Sequence, residues 1–404
     1  MSITARHRGN RWKRPNVWLG KLIPTLICIF GFYGYRLVLL EVYPLIKAHT
    51  PTVALLYLSW VNFFLGLVVF SYSLVYFHRK PRTNSLQVPA EVQQKRVVFA
   101  CDEAGEPLRC DRDNCNGSYL SIRTRHCRDC QSCQVGFDHH CSFMDNCVST
   151  SSTFNPFVTF IFYAVLLLVV ALVPLAPLQY RAFREVIATT WRTEKMREDW
   201  WSRWYSWVGG PVWRYAGAIV LGYLQYPSVS IDRPFLVPGH RVKTLVRDGI
   251  TYAYDESLYP RLATPTLSTL VLVAFATLIV GIGIGMLCMI ILNARKGMSA
   301  VQVERTHRYR LQQRSGISTS HDARLRLWIP FSETDTTEGV EGGAVVMVEP
   351  DTPLFDFGPM ENWKRLMGQN WWDWFVPTRI PPHDDTVVNP SILEHLLTEA
   401  RKKQ

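Results

Sequence analysis

Four long apolar stretches, separated by segments rich in charge, dominate the pattern of this chain: residues 22–40, 53–77, 156–178 and about 266–292. Each is long enough for an α-helix to cross a bilayer, which takes about 20 residues. Charges within them are few, and Arg36 lies near one end of the first, where a long side chain reaches the interface. Buried helices of a soluble protein are the alternative, and runs this long and this uncharged argue against it. The pattern predicts an α-helical polytopic membrane protein with four transmembrane helices.

The connections differ sharply in length. Spans one and two are joined over about 47–52, with Pro51 breaking the helix. Spans three and four are joined by residues 179–265, in which Trp191, Trp200, Trp201, Trp204, Trp207 and Trp213 crowd beside charged residues. Amphipathic rings favour the membrane–water interface, so this loop is expected along the membrane surface. Its apolar run 216–224 is too short to span alone and reads as re-entrant or interfacial, with an extra crossing as the alternative. Gly281 and Gly285 have GxxxG spacing, which either admits a close helix or reflects the frequency of Gly in membrane helices. Beyond residue 292 follow a basic juxtamembrane stretch (305–314), an acidic Thr- and Gly-rich loop (332–343), and an aromatic-rich segment (352–377) with apolar area enough to dock.

Charge sets the orientation. The net charge is +11, and basic residues flank the spans: Arg6, Arg8, Arg11, Lys13 and Arg14 before the first, Arg79, Lys80 and Arg82 after the second, Arg295 and Lys296 after the fourth. By the positive-inside rule both termini face the cytosol, and anionic membrane lipids rather than nucleic acid are the expected partner. The basic residues of the long loop run against this, but long loops translocate largely regardless of charge. No signal peptide is evident, and Ser2 does not suggest myristoylation. The expected segments are a cytosolic basic N-terminus (1–21), spans one and two (22–77), a cytosolic Cys-rich domain (78–155), span three (156–178), a lumenal Trp-rich loop (179–265), span four (266–292) and a cytosolic C-terminal tail (293–404). The expected location is an endomembrane: ER, Golgi, vacuole or plasma membrane.

Between residues 101 and 147 lie eight of the ten cysteines and three of the eleven histidines. Cytosolic thiols stay reduced, so this pattern reads as metal sites and catalysis rather than disulfides. Cys110 and Cys115 are followed by His126, Cys127, Cys130 and Cys133, then by Asp138-His139-His140-Cys141 and Cys147. Structural zinc sites are closed tetrahedra of Cys and His. Two Cys3His sites take six cysteines and two histidines, leaving Cys101, Cys141 and one histidine of the pair. A leftover thiol beside an imidazole and a carboxylate is the parts list of an activated nucleophile. Spacing alone leaves open how the ligands pair. Cys101 and Cys28 read as small buried or interfacial residues, Cys288 as packing, and helix capping is an alternative role for Asp138.

These residues resemble the DHHC-type zinc-finger protein S-acyltransferases (palmitoyltransferases), through the framework from Cys110 to Cys147, Asn146 before its last cysteine, and the four-span layout. The stretch Thr352-Pro-Leu-Phe-Asp-Phe-Gly358, with Asn362-Trp363 and Gly368, is similar to the C-terminal element of fungal members. The resemblance implies transfer of a long-chain fatty acyl group from acyl-CoA, palmitoyl-CoA in the first instance, to cytosolic cysteines of membrane-associated protein substrates. It implies Cys141 as nucleophile carrying the acyl thioester, His139 as base and Asp138 as its orienter. It also implies two interleaved structural zinc ions, one on Cys110, Cys115, His126 and Cys133, the other on Cys127, Cys130, His140 and Cys147. Departures lie beside the nucleophile, where Ser142-Phe143 replaces Pro-Trp, at Ser149 in place of Gly, and after span four, where Ser299-Ala300-Val301-Gln302 stands for Thr-Thr-x-Glu. Those departures keep a second reading in view, a catalytically silent, zinc-stabilised membrane scaffold. A membrane-anchored RING-type ubiquitin ligase fits less well, because no second Cys-x2-Cys pair follows Cys147.

Overall fold

A computed structural model describes residues 15–78, 86–112, 115, 117–225, 242–247, 250–255, 267–315, 325–331, 342–378 and 387–403. Within them, four helices are long and apolar enough to cross a membrane: Leu22–Ala48, Pro51–Tyr76, Phe154–Leu175 and Leu270–Arg295. The first runs past the expected end at residue 40, because a π-helical segment Val38–Val42 carries the backbone into the helix Tyr43–His49. The break comes at Thr50, whose backbone is extended, and Pro51 then opens the second span. Its missing N–H costs nothing there, since the first helical N–H groups have no intrahelical partner. Open space surrounds Gly281 and Gly285, so no described helix uses their spacing for a close approach.

The chain forms two compact units, one of residues 1–26, 68–162 and 285–404, the other of 27–67 and 163–284. In the first unit, strands distant in sequence share one antiparallel sheet, ordered Phe99–Ala100, Leu325–Pro330, Gly343–Val348. Leu327 lies opposite Val346, and Phe99 opposite Trp328. Alternation along 343–348 buries Ala344, Val346 and Val348 while Val345 and Met347 stay exposed, as period-two side chains require. The buried face packs on Leu354, Phe355 and Leu396, and the segment preceding the cysteine cluster is thereby joined to the C-terminal tail. Of the cysteines outside the cluster, Cys101 is buried, as expected, while Cys28 and Cys288 are exposed on spans one and four.

Two short antiparallel hairpins carry the cysteine cluster: Arg125–Cys127 with Ser132–Gln134, and Phe137–Cys141 with Asn146–Ser149. Gly136 joins them at φ +61, where an added Cβ would lie 2.2 Å from Thr150 Oγ1. Only a residue without a side chain fits that turn.

In the second unit the described part of the long connection is mostly helical rather than a loop. The helix Ala176–Arg192 follows directly on the third span, short turns cover residues 194–207, and the helix Gly210–Gln225 returns. Residues 242–247 and 250–255 form a further hairpin. Residues 332–341 of the acidic loop expected at 332–343, and the basic residues at 6–14 and 79–82, lie outside the described residues.

Candidate active and metal sites

The two hairpins gather the cysteines and histidines into two quartets, Cys110–Cys115–His126–Cys133 and Cys127–Cys130–His140–Cys147, with the donor atoms of each within 4.8 Å of one another. Strand pairing explains both groupings. His126 lies directly opposite Cys133, and His140 directly opposite Cys147, so each pair meets on one face of its hairpin. In the first quartet His126 Nδ1 is 3.1 Å from Cys115 Sγ and 3.8 Å from Cys110 Sγ, and Cys133 Sγ is 3.4 Å from Cys115 Sγ. In the second, His140 Nδ1 lies 3.6, 3.5 and 3.8 Å from the sulfurs of Cys127, Cys130 and Cys147. All of these cysteines are free thiols. A tetrahedron of zinc–sulfur bonds of about 2.3 Å spaces its ligand atoms by roughly 3.5–3.8 Å, so both donor sets fit zinc in chemistry and in size. The grouping is not sequential: His140 and Cys147 join Cys127 and Cys130, while Cys133 turns back to His126 and the first cysteine pair.

The same strand separates the two neighbouring histidines. Side chains alternate along a strand, so His140 faces its quartet while His139 and Cys141, two residues apart, share the other side. Asp138 would then point with His140, but the strand register shifts between Phe137 and His139. A bulge re-aims a side chain, and here Asp138 Oδ2 accepts a hydrogen bond of 2.8 Å from His139 Nδ1. Its other oxygen, Oδ1, accepts the backbone N–H of Ala300 at 2.7 Å. Asp138 is buried and held from both sides. Burial alone would depress the basicity of His139. Hydrogen bonds to Asp138 and Cys141 outweigh it, with the charge of Asp138 adding to the effect, and raise its pKa to about 9.

Cys141 is 5% exposed and packs among Val75, Met144, Val148, Phe154 and Phe157. The His139 ring sits edge-on against Phe157, centroids 5.2 Å apart. Phe143 is half exposed, and its carbonyl accepts from the hydroxyl of Tyr72 on the second span at 3.3 Å.

Three asparagines clamp this assembly to helix ends. Asn146 donates to the carbonyls of Val75 (2.6 Å) and His78 (3.0 Å) at the end of the second span, and accepts from Cys147 N at 2.9 Å. Asn155, at the start of the third, donates to the carbonyls of Met367 and Asp373. Asn362 donates to the carbonyl of Arg295 at the end of the fourth. That end turns at Gly297, φ +63, where an added Cβ would meet the Phe355 carbonyl at 2.1 Å.

Sequence reasoning gave Ala300 no role, because its part is played by a backbone N–H. It is the first residue of the helix Ala300–Arg314, whose N-cap Ser299 and Gln302 form a reciprocal capping box. The S-x-x-Q spacing is the signal that marks that start. Ser149, where the resemblance expects Gly, is accommodated by its hydroxyl contacts with Ser151 and Ser152.

Residues 112–223 match the family model described as DHHC palmitoyltransferase. The chain carries a DHHC palmitoyltransferase domain over that stretch, which takes in both hairpins, the third span and most of the helix Gly210–Gln225.

Proposed function

From a DHHC palmitoyltransferase domain as premise, we propose that the chain is a protein S-acyltransferase that moves a long-chain acyl group from acyl-CoA to cysteines of membrane-associated proteins. The observation that carries this reading is the row Asp138–His139–Cys141 on one side of a strand whose other side serves a metal quartet. A thiol with an ordinary pKa near 8.5 is mostly protonated at neutral pH, and the thiolate is the nucleophile. His139 takes the Cys141 proton, and Asp138 fixes the ring so that Nδ1 donates to the carboxylate and Nε2 is left to the sulfur. The thiolate attacks the thioester carbonyl of acyl-CoA, the bond to the CoA sulfur breaks, and the departing thiolate takes the proton from His139. A target cysteine then gives its proton to His139 and attacks acyl-Cys141; the bond to the Cys141 sulfur breaks, that sulfur takes the proton back from His139, and the target leaves with the acyl group. Splitting one transfer into two thioester exchanges is the gain of a covalent intermediate.

Two zinc ions, on Cys110, Cys115, His126 and Cys133 and on Cys127, Cys130, His140 and Cys147, would supply structural cross-links with every position filled by protein. We place both termini and the cysteine cluster on the cytosolic side, on the charge pattern of the flanks. The departures at Ser142 and Phe143 are compatible with turnover, since Phe143 keeps an aromatic beside the site. The test is multiple turnover: purified protein with palmitoyl-CoA and a cysteine peptide should release CoA and acylated peptide in equal amounts. A protein that binds acyl-CoA yet acylates no peptide or protein cysteine would be the scaffold instead.

A further inference from the structure

The helical hairpin of residues 176–225 carries apolar surface that its own fold does not use. Its interior is complete without it: Met196, Trp200, Trp201 and Ala218 are buried together, with Ile187 and Leu221 against them. Close packing there depends on Gly217, where an added Cβ would lie 2.1 Å from the Trp200 ring, and on Gly222, where it would lie 2.6 Å from Val186. The opposite side of the helix Gly210–Gln225 should be polar if it faced water. Instead Val212, Ala216, Val220 and Leu224 recur every four residues there, all exposed, with Val212 82% exposed.

The turn before this helix continues the surface. Trp204 and Val208 are 78% and 71% exposed, and residues 204–213 contain no charged side chain. Arg214 is folded inward: it donates to the Trp201 carbonyl and to Ser206, and its guanidinium stacks 4.1 Å from the centre of the Trp207 ring. Charge is collected elsewhere, on the exposed side chains of Glu194, Lys195, Glu198 and Asp199.

We infer that this side of the hairpin is a lipid-binding surface, lying in the bilayer interface with Val212, Val220, Leu224 and the Trp204 ring turned into the headgroup–acyl boundary. The inference rests on the reading of the four long helices as transmembrane. Continuity favours lipid over a protein partner. The exposed row Val169, Val173 on the third span passes at helical spacing to Tyr180 on the first helix of the hairpin, so the exposed apolar surface of the span runs on into the hairpin. A hairpin apolar on its free side, with Trp204 and Trp207 at its turn and exposed charge gathered at residues 194–199 instead, has the composition of an in-plane interfacial element. The bilayer is also the partner always within reach of a segment tethered to a span.

The test uses full-length protein in nanodiscs of phosphatidylcholine and phosphatidylglycerol, with a photoreactive diazirine side chain placed singly at residue 204, 212 or 220. Glu198 serves as the polar-face control and Phe63, exposed on the second span, as the bilayer control. Lipid adducts by mass spectrometry are expected at 204, 212 and 220 as at 63, and are expected to be lost at 198. Adducts to lipid at 63 but to a second copy, or to nothing, at 212 and 220 would overturn the inference while leaving the spans in place. Absence of lipid adducts at 63 as well would overturn both.

Discussion

Replacing Ala300 with proline removes one hydrogen atom from the catalytic row without touching a side chain in it. Ala300 is the first residue of its helix, where proline is tolerated, and Ser299 before it already has the extended backbone (ψ 160) that proline demands of its predecessor. The variant therefore keeps its helix and loses the N–H that Asp138 Oδ1 accepts at 2.7 Å. The proline ring carbon also occupies the place of that hydrogen, pushing the carboxylate away. A hydrogen bond to a charged group contributes about 1.5–3 kcal/mol. If that whole contribution is felt in the reactive arrangement of His139, the rate falls about 10- to 150-fold. The assay is single-turnover formation of the Cys141 thioester from palmitoyl-CoA, with zinc content measured in parallel. Ser299→Ala is the comparison, since it breaks the capping box and leaves the Ala300 N–H in place. Equal rates for wild type and Ala300→Pro, with zinc retained, would refute the claim that Asp138 must be held from behind.

Four further outcomes follow. His126→Ala or Cys133→Ala should lower zinc content from about two ions per chain and destabilise the hairpins, read by metal analysis and by the temperature of zinc release; a folded, zinc-free wild type would contradict this. His139→Ala should slow thioester formation about 10²- to 10⁴-fold with zinc retained, while His140→Ala should lose zinc as well, and equal zinc loss in both would undo the division of the pair. Because His139 is raised from about 6.5 to about 9, its pairing with Asp138 stabilises the fold below pH 6.5 and the contribution is lost as pH rises through about 9, a loss that His139→Ala should abolish in thermal unfolding. An engineered N-glycosylation acceptor near Gly209 should be used and one near Gly105 should not; the reverse would invert the proposed topology.

The four long apolar helices were legible because uncharged runs of that length have few other uses, and the second began at the proline that the sequence singled out. The residues of the candidate site were legible as residues, but spacing left their grouping open, and the resemblance alone implied it. Which cysteine meets which histidine is decided by hairpin register, His126 against Cys133 and His140 against Cys147, and register is a pairing of strands that spacing does not encode. The opposite aims of His139 and His140 follow from strand alternation, whereas the return of Asp138 to His139 needed a bulge that no residue type announces. The helices within 176–225 were missed for another reason. The helix Gly210–Gln225 is apolar on both faces, so amphipathic periodicity is weak there, and it read as a short interfacial run. The clamps made by Asn146, Asn155 and Asn362 join residues up to 218 positions apart through backbone carbonyls, which leave no mark in the sequence of either partner.

The most direct test of the central claim is the mapped site of acyl transfer. Purified protein is incubated with labelled palmitoyl-CoA, digested without reductant and analysed by mass spectrometry for a hydroxylamine-sensitive adduct, in wild type and in Cys141→Ser. The adduct is expected on Cys141 alone and should vanish in the variant while both zinc ions remain, because neither quartet includes that sulfur. An undiminished thioester signal in Cys141→Ser, or an adduct mapped to another cysteine in the wild type, would contradict it.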